Sequence, residues 1–318
     1  MPNGIVSHAK DVLNDKAKKA LHPLLGAIAK FDLPGRLSIR LFHTYISPIL
    51  LYGVENWSIL TDMDIEKFSD SYLFEKTDKY TTDVVHRKLL KFVLGVSKTS
   101  HNMAVYGDTN EIPLSLKGYR LMLNYWKRLS SLPEKSLAKK ALIENANIRT
   151  NWIKTIEKLV RCFRLIEVPA KKFKDTTKSR ISSYFEANWK NKVMNEDISR
   201  LKLYKTLNSD FTPPKHLGLP YKLRKVISQI RCSNHPLAIE KGRHKNPKIP
   251  REERICTLCS DRAVEDEEHV LLVCPKTEFA REKFHVDSSA YRNIGEMMDT
   301  LDVKVMVPFV DCCMNVFK

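Results

Sequence analysis

The residues of this chain best suited to chemistry lie between Cys256 and Cys274, in the run CTLCSDRAVEDEEHVLLVC. Cys256, Cys259, His269 and Cys274 are arranged there as Cys-x2-Cys, nine residues, His-x4-Cys. Three thiols and one imidazole match a closed tetrahedral zinc site, in which sulfur and nitrogen fill every position and leave none for a substrate. The expectation is one structural zinc ion. The two-residue spacer lets a tight turn aim Cys256 and Cys259 at one ion, and the acids Glu265, Asp266, Glu267 and Glu268 suit the positive end of a helix beginning near His269. His269 and Cys274 stand about 140° apart around an ideal helix, so a straight helix would not converge them. Pro275 biases Cys274 away from the α region, which lets that residue swing toward the metal. The competing reading makes these residues small buried thiols beside a surface histidine. Against it, three of the seven cysteines fall within nineteen residues.

Just before this array the chain is strongly basic. Lys241, Arg243, Lys245, Lys248, Arg251 and Arg254 face only Glu252 and Glu253, and His244 adds to the set. Pro247 and Pro250 disfavour helix here, so the cations are expected to line up as an extended strip able to neutralise successive phosphates. A solvated basic loop is the alternative. Across the chain, 54 Lys and Arg against 37 Asp and Glu give a formal charge of +17 and a pI near 9.5, which implies a polyanionic partner, RNA or DNA.

The 318 residues are enough for a sizeable core in two or three units. No apolar run approaches the roughly 20 residues of a spanning helix, and no apolar leader stands at the N-terminus, so a soluble intracellular protein, nuclear or cytoplasmic, is expected. Seven cysteines, an odd number, fit a reducing compartment without a disulfide framework.

The elements that must position these residues read as helices. Val12, Leu13, Ala17, Leu21, Leu24, Leu25 and Ile28 recur at three- and four-residue steps, predicting an amphipathic helix over 9–31 that Pro23 kinks or splits, with its lysines on a solvated face. A more apolar helix over 37–52 bends at Pro48 and reads as buried all round. Further helices are expected at 84–94, capped by Gly95, and at 116–132, 134–147, 150–166, 179–207 and 221–231. Tyr119, Tyr125 and Trp126 next to Lys127 and Arg128 could stack bases, although helical spacing suits a core. Lys171, Lys172, Phe173 and Lys174 read as a basic connector with the look of a nuclear signal. Pro213, Pro214, Gly218 and Pro220 mark a boundary near residue 215.

Three stretches carry a resemblance: LFHTYISPILLYGVENWS at 41–58, HRKLLKFVLGVSKTSHN at 86–102, and SNHPLAIEKGRHKNPKIPREERICTLCSDRAVEDEEHVLLVCP at 233–275. With them the chain resembles the C-terminal part of the reverse transcriptases of non-LTR, LINE-like retrotransposons, downstream of the polymerase palm. The resemblance implies a thumb-like helical region on the primer and template duplex, then a zinc knuckle that engages element RNA or target DNA through Cys256, Cys259, His269 and Cys274. Such polymerases hold two metal ions on palm carboxylates, normally including an Asp-Asp pair. No Asp-Asp pair occurs here, nor a Walker loop, a Gly-x-Ser-x-Gly elbow or a His-Glu-x-x-His helix. The family's catalytic segments would lie upstream of residue 1. The chain is therefore expected not to be an enzyme by itself, though it could join a palm supplied in trans.

The expected architecture is mainly α. A thumb-like helical region occupies 1–132, a middle helical region 133–215, and a basic segment with a zinc knuckle and a C-terminal helix 216–318. The expected function is nucleic-acid binding as the C-terminal portion of such a reverse transcriptase; the alternative is a zinc-stabilised module that docks a protein partner, or a domesticated remnant without a polymerase role.

Overall fold

The computed structural model describes residues 4–56, 62–208 and 210–317. Among them the chain is mainly α-helical, and the nearest approach to a sheet is a single antiparallel bridge between Ile255 and Val264. No helix among them is long and apolar enough to cross a membrane. Trp57 and Ser58, which end the first stretch carrying the resemblance, lie outside the described residues.

The contacts divide the chain into two compact units, each assembled from separated stretches. The first takes residues 1–27, 38–90 and 110–192; the second takes 28–37, 91–109 and 193–318. This is a different partition from three consecutive segments.

Gly4–Lys30, which belongs to the first unit as far as Ala27, forms one helix with Pro23 inside it, and Ala17 and Leu21 are buried while Lys16, Lys18 and Lys19 face solvent. The apolar run over 37–52 is two helices, Gly35–Tyr45 and Ser47–Leu50, with Pro48 in the first turn of the second. It is not buried all round. Phe42, Ile46 and Leu50 are interior, but Tyr45 and Tyr52 are exposed, because a phenol can leave its hydroxyl in water at little cost. Thr150 accepts from the Ile153 amide at 3.4 Å and so starts the helix Asn151–Cys162. Tyr125, Trp126, Leu132 and Trp152 are partly buried and pack against Leu129, Leu142 and Ile153, as their helical spacing suits. The basic run at 171–174 is no connector: it belongs to the helix Ala170–Met194, with Phe173 buried and its three lysines exposed. That helix ends at Met194, short of the expected residue 207.

In the second unit, two buried arginines stitch the separated stretches together. Arg231 grips Asp108 through Nε at 3.0 Å and Nη2 at 2.9 Å, and Arg224 donates to the carbonyls of Val93 and Leu219. Removing one partner of such a buried pair typically costs about 3–5 kcal/mol, because the other charge stays desolvated. The C-terminal helix Val303–Asn315 lies in the core of this unit. Met306, Val307, Phe309, Val310 and Cys313 cluster with Val270, Leu271, Leu272 and Cys274, so the last ligand segment rests on a packed wall.

Candidate metal centre and its basic loop

The backbone around Cys256 is a minimal hairpin. The Cys256 amide donates to the Ala263 carbonyl and the Glu265 amide to the Arg254 carbonyl, each at 2.8 Å, on either side of the Ile255–Val264 bridge. Between them the chain turns through Cys256-Thr257-Leu258-Cys259, with the amides of Leu258 and Cys259 turned back on the Cys256 sulfur. These amides favour a thiolate, although burial dominates and pushes the Cys256 thiol up.

The second pair of candidate ligands meets in a way an ideal helix forbids. His269–Val273 is a π-helical turn, in which the Cys274 amide donates to the His269 carbonyl at 2.7 Å. This wider i to i+5 turn brings residues five apart closer to one face. Cys274 itself has left the helix, at φ −56° and ψ 126°, as expected ahead of Pro275. The π turn leaves the Val270 carbonyl without its usual donors, because the Cys274 amide is taken and Pro275 has none. The Thr277 hydroxyl fills the gap at 2.7 Å, and Arg281 Nη2 holds the Cys274 carbonyl at 2.8 Å.

The four side chains converge. One potential ligand atom from each of Cys256, Cys259, His269 and Cys274 lies within 4.8 Å of every other, and all but Cys259 are buried. One edge, Cys259 Sγ to His269 Nε2, is 3.5 Å. The group can hold a metal ion. Burial pushes the Cys274 thiol up to about 12, so loading a cation must release protons.

The basic segment is a stitched loop rather than a straight strip. The Ile249 amide donates to the Gly242 carbonyl at 3.2 Å, and the Arg254 guanidinium reaches across to the carbonyls of Ile239 at 2.8 Å and Ile249 at 2.6 Å. Gly242 makes room for that crossing, since a Cβ there would stand 2.6 Å from Arg254 Nε. Arg251 Nη2 donates to Asp266 Oδ2 at 2.6 Å, and Arg243 is ion-paired with Glu240. The guanidiniums therefore serve the loop's own architecture. Lys241, His244, Lys245 and Lys248 remain exposed along it.

Residues the sequence reading passed over join this loop. Lys241 and His244 line one side of a cavity of about 490 Å³ whose other walls include Arg200, Lys225 and His101. Arg200 and Lys225 lie far apart in sequence among ordinary lysines and arginines, with no local signal to set them apart, whereas His101 lies in a stretch, 86–102, that the resemblance singles out. Among the described residues, two other groupings of metal-ligating types are occupied by side chains. In the first unit, Lys117 Nζ sits 2.8 Å from Glu111 and 3.0 Å from His43, filling the cation position beside His86. In the second, Glu267 is paired with His235 at 2.7 Å and Glu240 with Arg243.

No family model, no curated protein and no solved structure matches this chain.

Proposed function

We propose that this chain is a nucleic-acid-binding unit of the reverse-transcriptase type it resembles, with a structural zinc ion on Cys256, Cys259, His269 and Cys274 and no polymerase chemistry of its own. For the metal, the 3.5 Å edge between Cys259 Sγ and His269 Nε2 supports zinc. A tetrahedron with Zn–S of about 2.3 Å and Zn–N of about 2.0 Å has a sulfur–nitrogen edge of roughly 3.5 Å. Bound there, the ion would tie the hairpin to the π turn, and the four residues leave no position open for a reacting ligand. Thumb-like contact with a duplex would fall to the helices upstream.

The observation that carries the nucleic-acid reading is the division of labour in residues 241–254. The arginines are spent on the loop's own architecture and, through Arg251 and Asp266, on its link to the metal module, which presents Lys241, Lys245 and Lys248 on the exposed side of a backbone that needs no further ordering on binding. Cations held this way neutralise backbone phosphates and release counterions, which gives affinity without base readout. The test is fluorescence anisotropy of the zinc-loaded chain with RNA and duplex DNA over a salt series. The reading requires affinity that falls steeply with salt and is lost in Cys259→Ser; an affinity indifferent to salt and to that substitution would sink it.

A second reading has its own support. Val273 is 59% and Phe279 51% exposed, and Ile255 and Leu258 are also exposed, so the metal module offers apolar side chains to a protein partner. In that case, substitution of Val273 and Phe279 by Ser would abolish partner capture and leave nucleic-acid affinity unchanged.

A further inference from the structure

Residues 95–101, Gly-Val-Ser-Lys-Thr-Ser-His, follow the helix Thr81–Leu94 and are pinned in place. Gly95 turns the chain at φ +66°, and Gln229 Nε2 donates to its carbonyl at 2.9 Å. The Ser97 amide and the Ser100 hydroxyl both donate to Asn234 Oδ1, at 2.7 and 3.2 Å. The Ser97 and Thr99 hydroxyls lie 2.8 Å apart, and Arg200 Nη1 donates to the Thr99 carbonyl at 3.0 Å. Two of the stretches behind the family resemblance, more than a hundred residues apart, thus meet at Asn234 and form one wall of the 490 Å³ cavity.

The cavity's chemistry is one-sided. Hydroxyls of Ser97, Thr99, Ser100 and Ser233 share it with the cations Arg200, Lys225 and Lys241, which come from three separate segments. Its single carboxylate, Glu240, is answered by Arg243. It holds no aromatic ring other than imidazole, so nothing there would stack a base. A phosphodiester shares one charge over two free oxygens, whereas a phosphate monoester offers three and close to a second charge, which better matches four hydroxyls, two ammoniums and a guanidinium.

We infer that this cavity binds a phosphate monoester, and that its source is the phosphate ending a nucleic-acid strand laid along the 241–248 loop. The choice of source rests on the nucleic-acid reading above; the phosphate site itself does not. The volume admits the attached sugar as well as the phosphate. Recognition would be indifferent to base identity and sensitive to the state of the strand end.

The experiment uses the zinc-loaded full chain and one short oligonucleotide made with and without a terminal phosphate, with inorganic phosphate as a separate probe read by ³¹P line broadening. The phosphorylated strand should bind about tenfold tighter, the worth of one or two charge-assisted hydrogen bonds. That preference should vanish in Arg200→Gln with Lys225→Met, and shrink in Thr99→Ala, an exposed position that tests the site should the double variant not fold. Equal affinity for the two strands overturns the inference. If neither strand binds, phosphate broadening that disappears in the same variants upholds the site and overturns the nucleic-acid reading, while absence of broadening overturns both.

Discussion

Arg251 and Asp266 link the basic loop to the candidate metal centre. Arg251 Nη2 donates to one Asp266 oxygen at 2.6 Å, while the other oxygen accepts the His269 amide at 3.1 Å and caps the segment that carries the ligand. Loop position and ligand position therefore depend on one carboxylate. Asp266→Ala should cost about 1 kcal/mol of module stability through the lost cap. It should also raise the loop's proteolysis rate, while Arg251→Ala, at a half-exposed ion pair, should cost less. Thermal melts of the two variants check the order.

Cys259→Ser should remove the metal and unfold the C-terminal module while the first unit keeps its helicity. A structural zinc is worth on the order of 10 kcal/mol to its module, so a chelator should act the same way. Native mass spectrometry with limited proteolysis reads both; an unchanged mass and digestion pattern would contradict the assignment.

Thr277→Val keeps the volume and removes the hydroxyl that satisfies the Val270 carbonyl in the π turn. A buried carbonyl left unpaired costs about 1–3 kcal/mol. Because that turn sets the separation of His269 and Cys274, the variant should also surrender its metal at lower chelator concentration than wild type.

Glu111 predicts an acid-sensitive first unit. Burial alone would raise its carboxyl, but the His43 hydrogen bond and the Lys117 charge outweigh it and hold the group at about 2, below its ordinary 4.5. A carboxylate depressed on folding contributes stability that is fully present well above pH 4.5 and is lost as pH falls toward 2. The contribution is about 3 kcal/mol. Glu111→Gln should be less stable at pH 7 and lose less on acidification, as followed by urea melts at each pH.

The four residues that could hold a metal were legible because their types and spacing are local, and Pro275 correctly marked where Cys274 leaves the helix. The π turn was not, since nothing in His-Val-Leu-Leu-Val distinguishes it from an ordinary helical turn; Thr277, which supports it, lies beyond the ligand array. Helix periodicity placed Tyr221–Arg231 residue for residue. It misplaced the start of Ala170–Met194, expected at 179, because the lysines flanking Phe173 resembled a connector, whereas one buried ring suffices to hold that turn in the helix. The roles of the arginines were hidden as well. Arg251 and Lys248 look alike in sequence, and only the fold gives one an Asp266 and leaves the other exposed.

The division between structural arginines and exposed lysines is tested most directly by the salt dependence of duplex DNA binding in the triple variant Lys241→Ala, Lys245→Ala, Lys248→Ala. Each phosphate neutralised contributes about −0.9 to the slope of log K against log salt, so the variant's slope should be flatter by roughly 2 to 3, with zinc retained and sequence preference unchanged. An unchanged slope and affinity would show that the loop does not meet phosphate, and would contradict the account.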